Sequence, residues 1–287
     1  MTRIAFVTDS TCNRPDELKQ RHNISVVPVY VIFGDTSYED YVEMPPAEFY
    51  RRLSEYKAAG KGMPTTSQPT PEDFRAAYTV LAEKDYADII SIHVTAKSSG
   101  TCQSAQLASS MVDGVTVHVV DSATTSMQMG FMLLEAIQAV ADGGGVAEAL
   151  AAIENVKAHS CIHFTVTDVE HLAASGRTEG SEKATEAAVS VKPIVSVVDG
   201  VPKALVAERA QRAALRKVLE LTGQRVGEGR VKRMAVVNGN IPDKANEWAA
   251  EAARSLNFDG QPVVVDFGPA LAVHFGPGLL GVAVQWE

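Results

Sequence analysis

The feature that most constrains the fold of this chain is the alternation of short apolar runs with longer helix-like segments. The runs at 4–7, 89–94 and 115–120 are continuous and β-rich, which is typical of strands buried on both faces. The segments 45–56 and 71–84 open with proline and carry acidic residues soon afterwards, as helix N-termini do. Strands separated by helices predict an α/β fold, with parallel-type sheet layers and flanking helices.

The pattern stops and then restarts in the second half of the chain. Asp142-Gly143-Gly144-Gly145 separates two helical segments, and new β-rich runs follow at 162–166 and 194–198. Asp199-Gly200 has the turn chemistry of a hairpin. We therefore expect two α/β domains, 1–158 and 159–287, with a cleft between them. Whether the final segment stays in the second domain or returns to the domain interface is open.

Prolines set two further expectations near the N-terminus. Residues 24–33 read ISVVPVYVIF and predict one strand. Its internal Pro28 lacks a ladder donor and therefore indicates an edge or a bulge. Pro15 suits the first turn of a helix that follows the first strand.

Composition excludes several classes of protein. The chain has 26 Lys+Arg against 35 Asp+Glu, a net charge of −9, which disfavours binding to a nucleic-acid backbone. Its 46% hydrophobic and 21% charged content is that of a globular protein and not of a disordered one. No apolar stretch approaches a membrane span, and the first apolar run is short and soon meets Asp9, unlike a signal peptide. We expect a soluble cytoplasmic protein.

The sequence gives little support for a metal or a cofactor. Cys12, Cys102 and Cys161 lack C-x-x-C spacing, so we expect reduced thiols. His159, Cys161 and His163 share one face of a predicted strand, which leaves a metal there as an alternative. A P-loop, a complete dinucleotide fingerprint, a nucleophile elbow and a zincin motif are all missing from the sequence. We expect no metal site and no cofactor.

Two hydroxyl-rich loops each stand just before a predicted helix. Residues 64–71 (PTTSQPTP) hold four hydroxyl side chains between prolines, and residues 97–101 (KSSGT) follow a predicted strand. The free backbone N–H groups and the dipole of a helix N-terminus favour an anion. Each loop alone is also explained by ordinary helix capping. Together, at the carboxyl ends of parallel-type strands, they favour an anion site.

Three further residues are candidates for chemistry. Asp9 ends the first strand, where it caps the following helix or, alternatively, acts as an aspartyl nucleophile. Arg177 lies in the turn at 175–178. His274 stands beside the rigid Gly276-Pro277-Gly278 loop; a lone histidine is often structural, but loops on rigid scaffolds gather functional groups.

These same segments, in order along nearly the whole chain, resemble the DegV family. Seven segments carry the resemblance: Thr8-Asp9-Ser10-Thr11-Cys12, Thr66-Ser67-Gln68-Pro69, Ser99-Gly100-Thr101-Cys102-Gln103-Ser104-Ala105, Val120-Asp121-Ser122, Gly176-Arg177, Lys192-Pro193-Ile194 and His274-Phe275-Gly276-Pro277-Gly278.

The resemblance implies a two-domain α/β fold that buries one long-chain fatty acid. It implies a subunit without its own catalytic machinery, which presents the bound carboxylate to a separate ATP-using fatty acid kinase subunit. The resulting acyl phosphate would feed phospholipid synthesis. By the same resemblance Thr66 and Ser99 bind the carboxylate, Arg177 and His274 lie near the head group, and Arg209 matches a family arginine after the hairpin.

The chain departs from the family pattern at two places near these residues. Ser98 replaces an apolar residue that the family has before its second loop, and Ser175-Gly176-Arg177-Thr178 replaces Gly-Gly-Arg-Ile. These changes alter residues expected at the pocket neck and in the arginine loop, whereas Thr66 and Ser99 are retained. Candidate walls for an acyl tunnel are Val27, Val29, Ile92, Met127, Met129, Phe131 and the residues around Phe164.

Other functions stay open on the sequence alone. A stand-alone hydrolase or phosphotransferase could use Ser99 with His274, or Asp9, although no orienting acid accompanies them. A sensor of another lipid-like anion would share the pocket. Arg209, Arg212 and Arg216 lie on one face of a predicted helix at 209–224, either as a solvated face or as a docking surface for the kinase or an anionic membrane.

Overall fold

The computed structural model describes residues 3–13, 22–181 and 191–287. Pro15, with the helix predicted to begin there, lies outside these ranges. The described strands are β1 (Ile4–Asp9), β2 (Ser25–Val27), β3 (Tyr30–Phe33), β4 (Thr36–Glu39), β5 (Thr65–Ser67), β6 (Asp88–His93), β7 (Thr116–Asp121), β8 (Ser160–Thr165), β9 (Lys192–Val198), β10 (Val201–Glu208), β11 (Val231–Asn238), β12 (Val263–Asp266) and β13 (Leu280–Trp286). The described α-helices are α1 (Pro46–Ala58), α2 (Pro71–Ala82), α3 (Thr101–Ser109), α4 (Ser126–Ala141), α5 (Val146–Ala158), α6 (Val169–Ala174), α7 (Gln211–Val226), α8 (Pro242–Ser255) and α9 (Pro269–Phe275).

The first sheet is parallel and has the order β2-β1-β6-β7. Its strands are apolar on both faces because helices cover both. Val7 of β1 packs with Phe74 and Tyr78 of α2, whereas Phe6 packs with the core that contains α4. The predicted α/β class, with a parallel sheet and flanking helices, is confirmed.

The run at 24–33 does not form one strand, so that prediction is wrong. The structure divides it into β2, in the parallel sheet, and β3, at the centre of a small antiparallel sheet of order β4-β3-β5. Pro28 lies between the two strands and has no N–H to continue a ladder. The next amide, that of Val29, donates to Ser10 Oγ at 3.0 Å instead of to a strand.

The second half is built on a mixed sheet of order β10-β9-β8-β13-β11-β12. Of its described strand pairs, β11 with β12 is parallel and the others are antiparallel. The hairpin predicted at Asp199-Gly200 is present and pairs Val198 with Val201. Asp199 and Gly200 have φ of 50° and 80°, as the two central residues of a type I′ turn require.

The main hydrophobic core is continuous across the predicted boundary at 158. It joins Phe6 and Ile92 of the first sheet to Phe164 of β8 and Phe275 of α9. In a second cluster, α9 also packs against β3 and α1, so this late segment lies on the N-terminal half. The division into 1–158 and 159–287 stays a prediction. None of the described helices is both long enough and apolar enough to cross a membrane.

Candidate functional site

A cleft lies where the loops of the N-terminal half meet α9 and the β9–β10 hairpin. Its cavity volume is about 50 Å³. Its polar lining comprises Thr11, Thr66, Gln68, Thr95, Ser98, Ser99, Thr125, Arg177 and His274. Its apolar lining comprises Val29, Val94, Val197, Pro202, Ala270, Leu271 and Phe275. Among the described residues, no acidic side chain reaches this lining.

The Thr66 hydroxyl is placed against His274 in the lining of this cleft. Strand β5 holds Thr66 opposite Val31 of β3, and α9 supplies His274 from the other half of the chain. Thr66 Oγ1 and His274 Nε2 lie 2.9 Å apart. If Nε2 carries the imidazole proton, the ring donates to Thr66 Oγ1 and leaves the threonine hydrogen for an acceptor in the cleft.

The His274 ring is neutral at physiological pH. Burial, with smaller contributions from Arg177 and His171, lowers the pKa of His274 to about 3. A protonated imidazole is therefore not available to pair with an anion near pH 7. What His274 offers is hydrogen bonding, and the cationic group of the cleft is Arg177.

Ser99 stands at the N-terminus of α3, in the loop that follows β6. Its Oγ lies 2.9 Å from Thr101 Oγ1 and accepts from the Thr101 backbone N–H at 3.4 Å. The next residue, Gly100, allows the Thr66 loop to approach, because a Cβ there would lie 2.7 Å from Gln68 Nε2. The two hydroxyl loops predicted from sequence thus meet in one cleft.

Arg177 closes one side of the cleft mouth by bridging the two halves of the chain. Its Nη1 donates to the carbonyl of Ser98 at 2.6 Å. Partial burial lowers the pKa of the Arg177 guanidinium, but arginine stays protonated in proteins. Ser98, which replaces the apolar residue of the family pattern, also lines the cleft.

Two threonines of the lining were not singled out by the sequence. Thr95 follows β6, and its Oγ1 donates to the Gly200 carbonyl at 2.7 Å, which ties the hairpin turn to the cleft. Thr125 precedes α4 and has a buried Oγ1 without a hydrogen-bond partner in the described chain. Sequence reasoning could have found them only by their position, because both stand just after a strand of the parallel sheet.

Asp9 is a structural support for the cleft floor and does not line the cleft. Its Oδ1 accepts from the backbone N–H and the hydroxyl of Thr11. Its Oδ2 accepts from the Val94 N–H and bonds the ring of His93. Burial alone would raise the pKa of Asp9, but the bonds and charge of His93, with those of Thr11 and Val94, lower it overall. The geometry favours the capping interpretation over a nucleophile.

Ser99 and His274 do not form a nucleophile–base pair. Ser99 hydrogen-bonds to Thr101, and His274 hydrogen-bonds to Thr66. Within the described structure no hydrogen bond joins Ser99 to His274. A hydrolase or phosphotransferase that used Ser99 with His274 would therefore lack the contact that activates its serine.

The other predicted groups lie away from the cleft. Arg209 is exposed and precedes α7, which begins at Gln211, and it does not reach the cleft lining. Arg212 and Arg216 are exposed on α7. Within the described ranges, no group of three or more potential metal ligands clusters, at His159–Cys161–His163 or elsewhere.

The acyl-tunnel candidates divide between the cleft and the solid core. Val29 lines the cleft. Ile92, Met127, Met129, Phe131 and Phe164 instead pack in the main core, and Val27 packs under α2.

Comparison with known proteins identifies the family. Residues 3–287 match the family model described as an uncharacterised protein of the DegV family. A DegV domain-containing protein of Streptomyces coelicolor is 32% identical over 282 residues, which cover 98% of each chain. The protein DegV of Bacillus subtilis is 30% identical over 283 residues, which cover 97% of this chain and 98% of the relative.

Solved structures agree with the sequence relatives. A DegV family protein from Thermus thermophilus, described by its fatty acid binding, superposes with a TM-score of 0.87 at 30% identity, over 100% of both chains. DegV from Bacillus subtilis, described as a fatty acid binding protein, superposes with a TM-score of 0.88 at 29% identity, again over 100% of both chains. On its sequence, its fold and these relatives, the chain belongs to the DegV family.

Proposed function

We propose that this chain binds one long-chain fatty acid in the cleft, with the carboxylate on the hydroxyls of Thr66 and Ser99. The observation that carries the proposal is the amphipathic lining of the cleft. Hydroxyls and Arg177 converge beside an apolar wall that includes Leu271 and Phe275, and no acidic side chain of the described chain joins them. The Thermus thermophilus and Bacillus subtilis relatives, both described as fatty acid binding, support the same ligand class.

The tail would supply most of the gross affinity. Each methylene removed from water contributes roughly 0.8 kcal/mol, so about fifteen of them contribute ~12 kcal/mol. Association and ordering offset a large part of this. Val29, Leu271 and Phe275 line the cleft, so the first methylenes of the tail would pack against these side chains.

The head group would decide orientation. A buried carboxylate without partners is prohibitively costly. Hydroxyl donors contribute about 1.5–3 kcal/mol each to a charged acceptor, and the N-terminus of α3 adds partial positive charge. The net charge of −9 gives no general attraction for an anion, so these local donors and Arg177 must capture the carboxylate.

We further propose that the chain presents this carboxylate to a separate ATP-dependent kinase subunit. It would itself contribute no catalytic residue, and the acyl phosphate would pass to phospholipid synthesis. The sequence contains no phosphate-binding P-loop of its own, which is consistent with an ATP site on a partner. Operation in the cytoplasm, with transient contact with an anionic membrane surface for acyl loading, belongs to the same proposal.

Lipid extraction tests the ligand. The protein is purified gently and denatured, and the organic extract is analysed by mass spectrometry. We expect close to one fatty acid per chain. A clean extract would count against the proposal, and a different lipid-like anion in the spectrum would replace it.

His274→Ala tests the division of labour at the head group. We expect phosphoryl transfer by the kinase subunit to fall about tenfold or more, because an ordered hydrogen-bonding group beside the reacting carboxylate is lost. Fatty acid affinity should change much less, since Ser99 and the tail contacts remain. Fluorescent fatty acid binding and acyl phosphate formation are measured on the same preparation. Equal loss in both assays would contradict this role.

A further inference from the structure

A second cavity opens where two strands of the large sheet separate. Strands β8 and β9 pair from His163↔Ser196 to Thr165↔Ile194, and the register goes no further. Residues 160–162 therefore face 197–199 across a gap. The cavity in this gap, here called the fork cavity, has a volume of about 390 Å³. The wall residues that matter below are Lys157, Ser160, His163, Ser196, Asp199 and Arg225.

His163 brings a hydrogen-bond acceptor to this cavity. The side chain is 3% exposed, and its Nδ1 lies 3.1 Å from Thr222 Oγ1. The Thr222 hydroxyl donates to the Val218 carbonyl at 2.8 Å. Thr222 Oγ1 must therefore accept from His163, which places the imidazole proton on Nδ1.

The opposite nitrogen of His163 is left without a partner. Burial, assisted by the charge of Arg225, lowers the pKa of His163 to about 4, so the ring is neutral at pH 7. Its Nε2 is then a bare acceptor, and no hydrogen bond to it occurs within the described part of the chain. His163 lines the fork cavity, so this acceptor is within reach of a molecule bound there. A ligand hydroxyl would satisfy it.

Two cations and one carboxylate lie on the wall, a balance that favours an anion. Lys157 and Arg225 contribute positive charge, and Asp199 is the acidic residue of the described lining. Lys157 also pairs with Glu154 at 2.7 Å, whereas Arg225 has no ion-pair partner in the described chain. The rest of the wall is mixed. Gln128 Nε2 donates to Ser160 Oγ at 3.1 Å, and Met132, Leu205 and Leu221 contribute apolar surface.

We propose that the fork cavity binds a small organic phosphate that carries free hydroxyl groups. Arg225 and Lys157 bind the phosphate, because cationic donors match phosphate oxygens. One ligand hydroxyl donates to His163 Nε2, and another donates to Asp199. The site is separate from the fatty acid carboxylate and does not depend on it, although both cavities contact Val197 and the β9–β10 hairpin.

Calorimetric titration of the full chain tests the site with three probes: glycerol 2-phosphate, inorganic phosphate and glycerol. We expect glycerol 2-phosphate to bind at least tenfold more tightly than inorganic phosphate, and glycerol not to bind. In ¹⁵N spectra of histidine-labelled protein, the Nε2 resonance of His163 should move towards that of a hydrogen-bonded acceptor when glycerol 2-phosphate is added. Equal affinity for the two phosphates, or an unmoved resonance, would overturn the hydroxyl contact.

Variants locate the phosphate on the protein. Arg225→Gln and Lys157→Gln should each weaken glycerol 2-phosphate binding at least tenfold. Arg216→Gln is the matched control for the first, because Arg216 is exposed on the same helix and does not line the cavity. Fatty acid content of each preparation is measured in parallel, so that a failure of this site is distinguished from a failure of the cleft. Absent binding in the wild type, or equal loss in Arg216→Gln and Arg225→Gln, would refute the proposal.

Discussion

The cleft and the fork cavity both contact Val197 of β9 but differ in the groups that line them. The cleft combines hydroxyls and Arg177 with an apolar wall, without a described acidic residue. The fork cavity places Lys157, Arg225 and Asp199 among both polar and apolar groups. The first fits the proposed anionic head with a hydrocarbon tail, and the second, which carries more charged groups, fits the proposed small phosphate.

A neutral histidine has a different role in each cavity. His274 bonds a threonine hydroxyl that faces the ligand space, so its neutrality can free a donor. His163 bonds a threonine on the protein side, so its neutrality leaves an acceptor for a ligand. The comparison teaches that burial fixes the charge of a histidine, whereas the position of its partner decides what it offers to a ligand.

The largest effect is expected on fatty acid binding in the cleft. The double variant Thr66→Ala/Ser99→Ala should weaken fatty acid binding by about two orders of magnitude, because each lost hydroxyl contributes at least ~1.5 kcal/mol to a charged acceptor. Fluorescence titration measures the change. Ser67→Ala, an exposed hydroxyl in the same strand as Thr66, serves as the control and should have little effect. Unchanged affinity in the double variant would remove both residues from the site.

Lowering the pH should destabilise the folded chain, because His163 and His274 are both neutral in it. Their pKa values in the folded chain, about 4 for His163 and about 3 for His274, lie below about 6.5 in the unfolded chain. As pH falls below 6.5 the unfolded state binds protons first, so stability is lost. At pH 5 each histidine should lower the unfolding free energy by roughly 2 kcal/mol.

Denaturant unfolding at pH 8 and pH 5 measures this contribution. His163→Gln and His274→Gln should each lose less stability between the two pH values than the wild type. The difference is the informative quantity, because burial raises the pKa of Asp40 to about 7 and that carboxyl works in the opposite direction. Identical pH slopes in wild type and variants would refute the neutral state of the histidines.

The shared hairpin turn should couple the two cavities. Gly200 has φ of 80°, and a Cβ there would lie 2.8 Å from Thr95 Oγ1. We expect Gly200→Ala to lower the unfolding free energy by about 1–3 kcal/mol and to weaken both ligands. Gly114→Ala is the control, since Gly114 has the same φ of 80° but open space around it. Equal effects of the two substitutions on ligand binding would show that the Thr95 contact is unimportant.

The smallest effect is expected at Arg209. Because this residue is exposed and outside the cleft lining, Arg209→Ala should change fatty acid affinity by less than about 0.5 kcal/mol. A much larger loss would bring Arg209 into the head-group site after all. Its effect on phosphoryl transfer by the kinase subunit is measured separately, to test the docking alternative.

Local patterns predicted much of the fold and part of the candidate site. Residues 89–94 and the loop with Ser99 were predictable because strand runs, helix caps and turn residues leave clear local signals. The failure at 24–33 arose because tertiary contacts of Val29 and the break at Pro28 assign its halves to different sheets. Local sequence cannot reveal which sheet a short apolar run joins.

The cavities were harder to predict than the sheets. Met127 and Phe131 were reasonable tunnel candidates, but an apolar side chain has the same sequence signal in a solid core as in a cavity wall. The fork cavity depends on where the pairing of β8 with β9 ends at His163↔Ser196, a contact between distant segments. Thr125 was missed because a single threonine after a strand is common.

The contact between Thr66 and His274 has a consequence for biosynthesis. The two residues are 208 positions apart in sequence, and translation adds about 5–20 residues per second. The hydroxyl loops therefore exist on the ribosome for roughly ten seconds or more before α9 is made. During that interval the cleft lacks Leu271, His274 and Phe275 from its lining. The proposed binding site is therefore complete only late in synthesis.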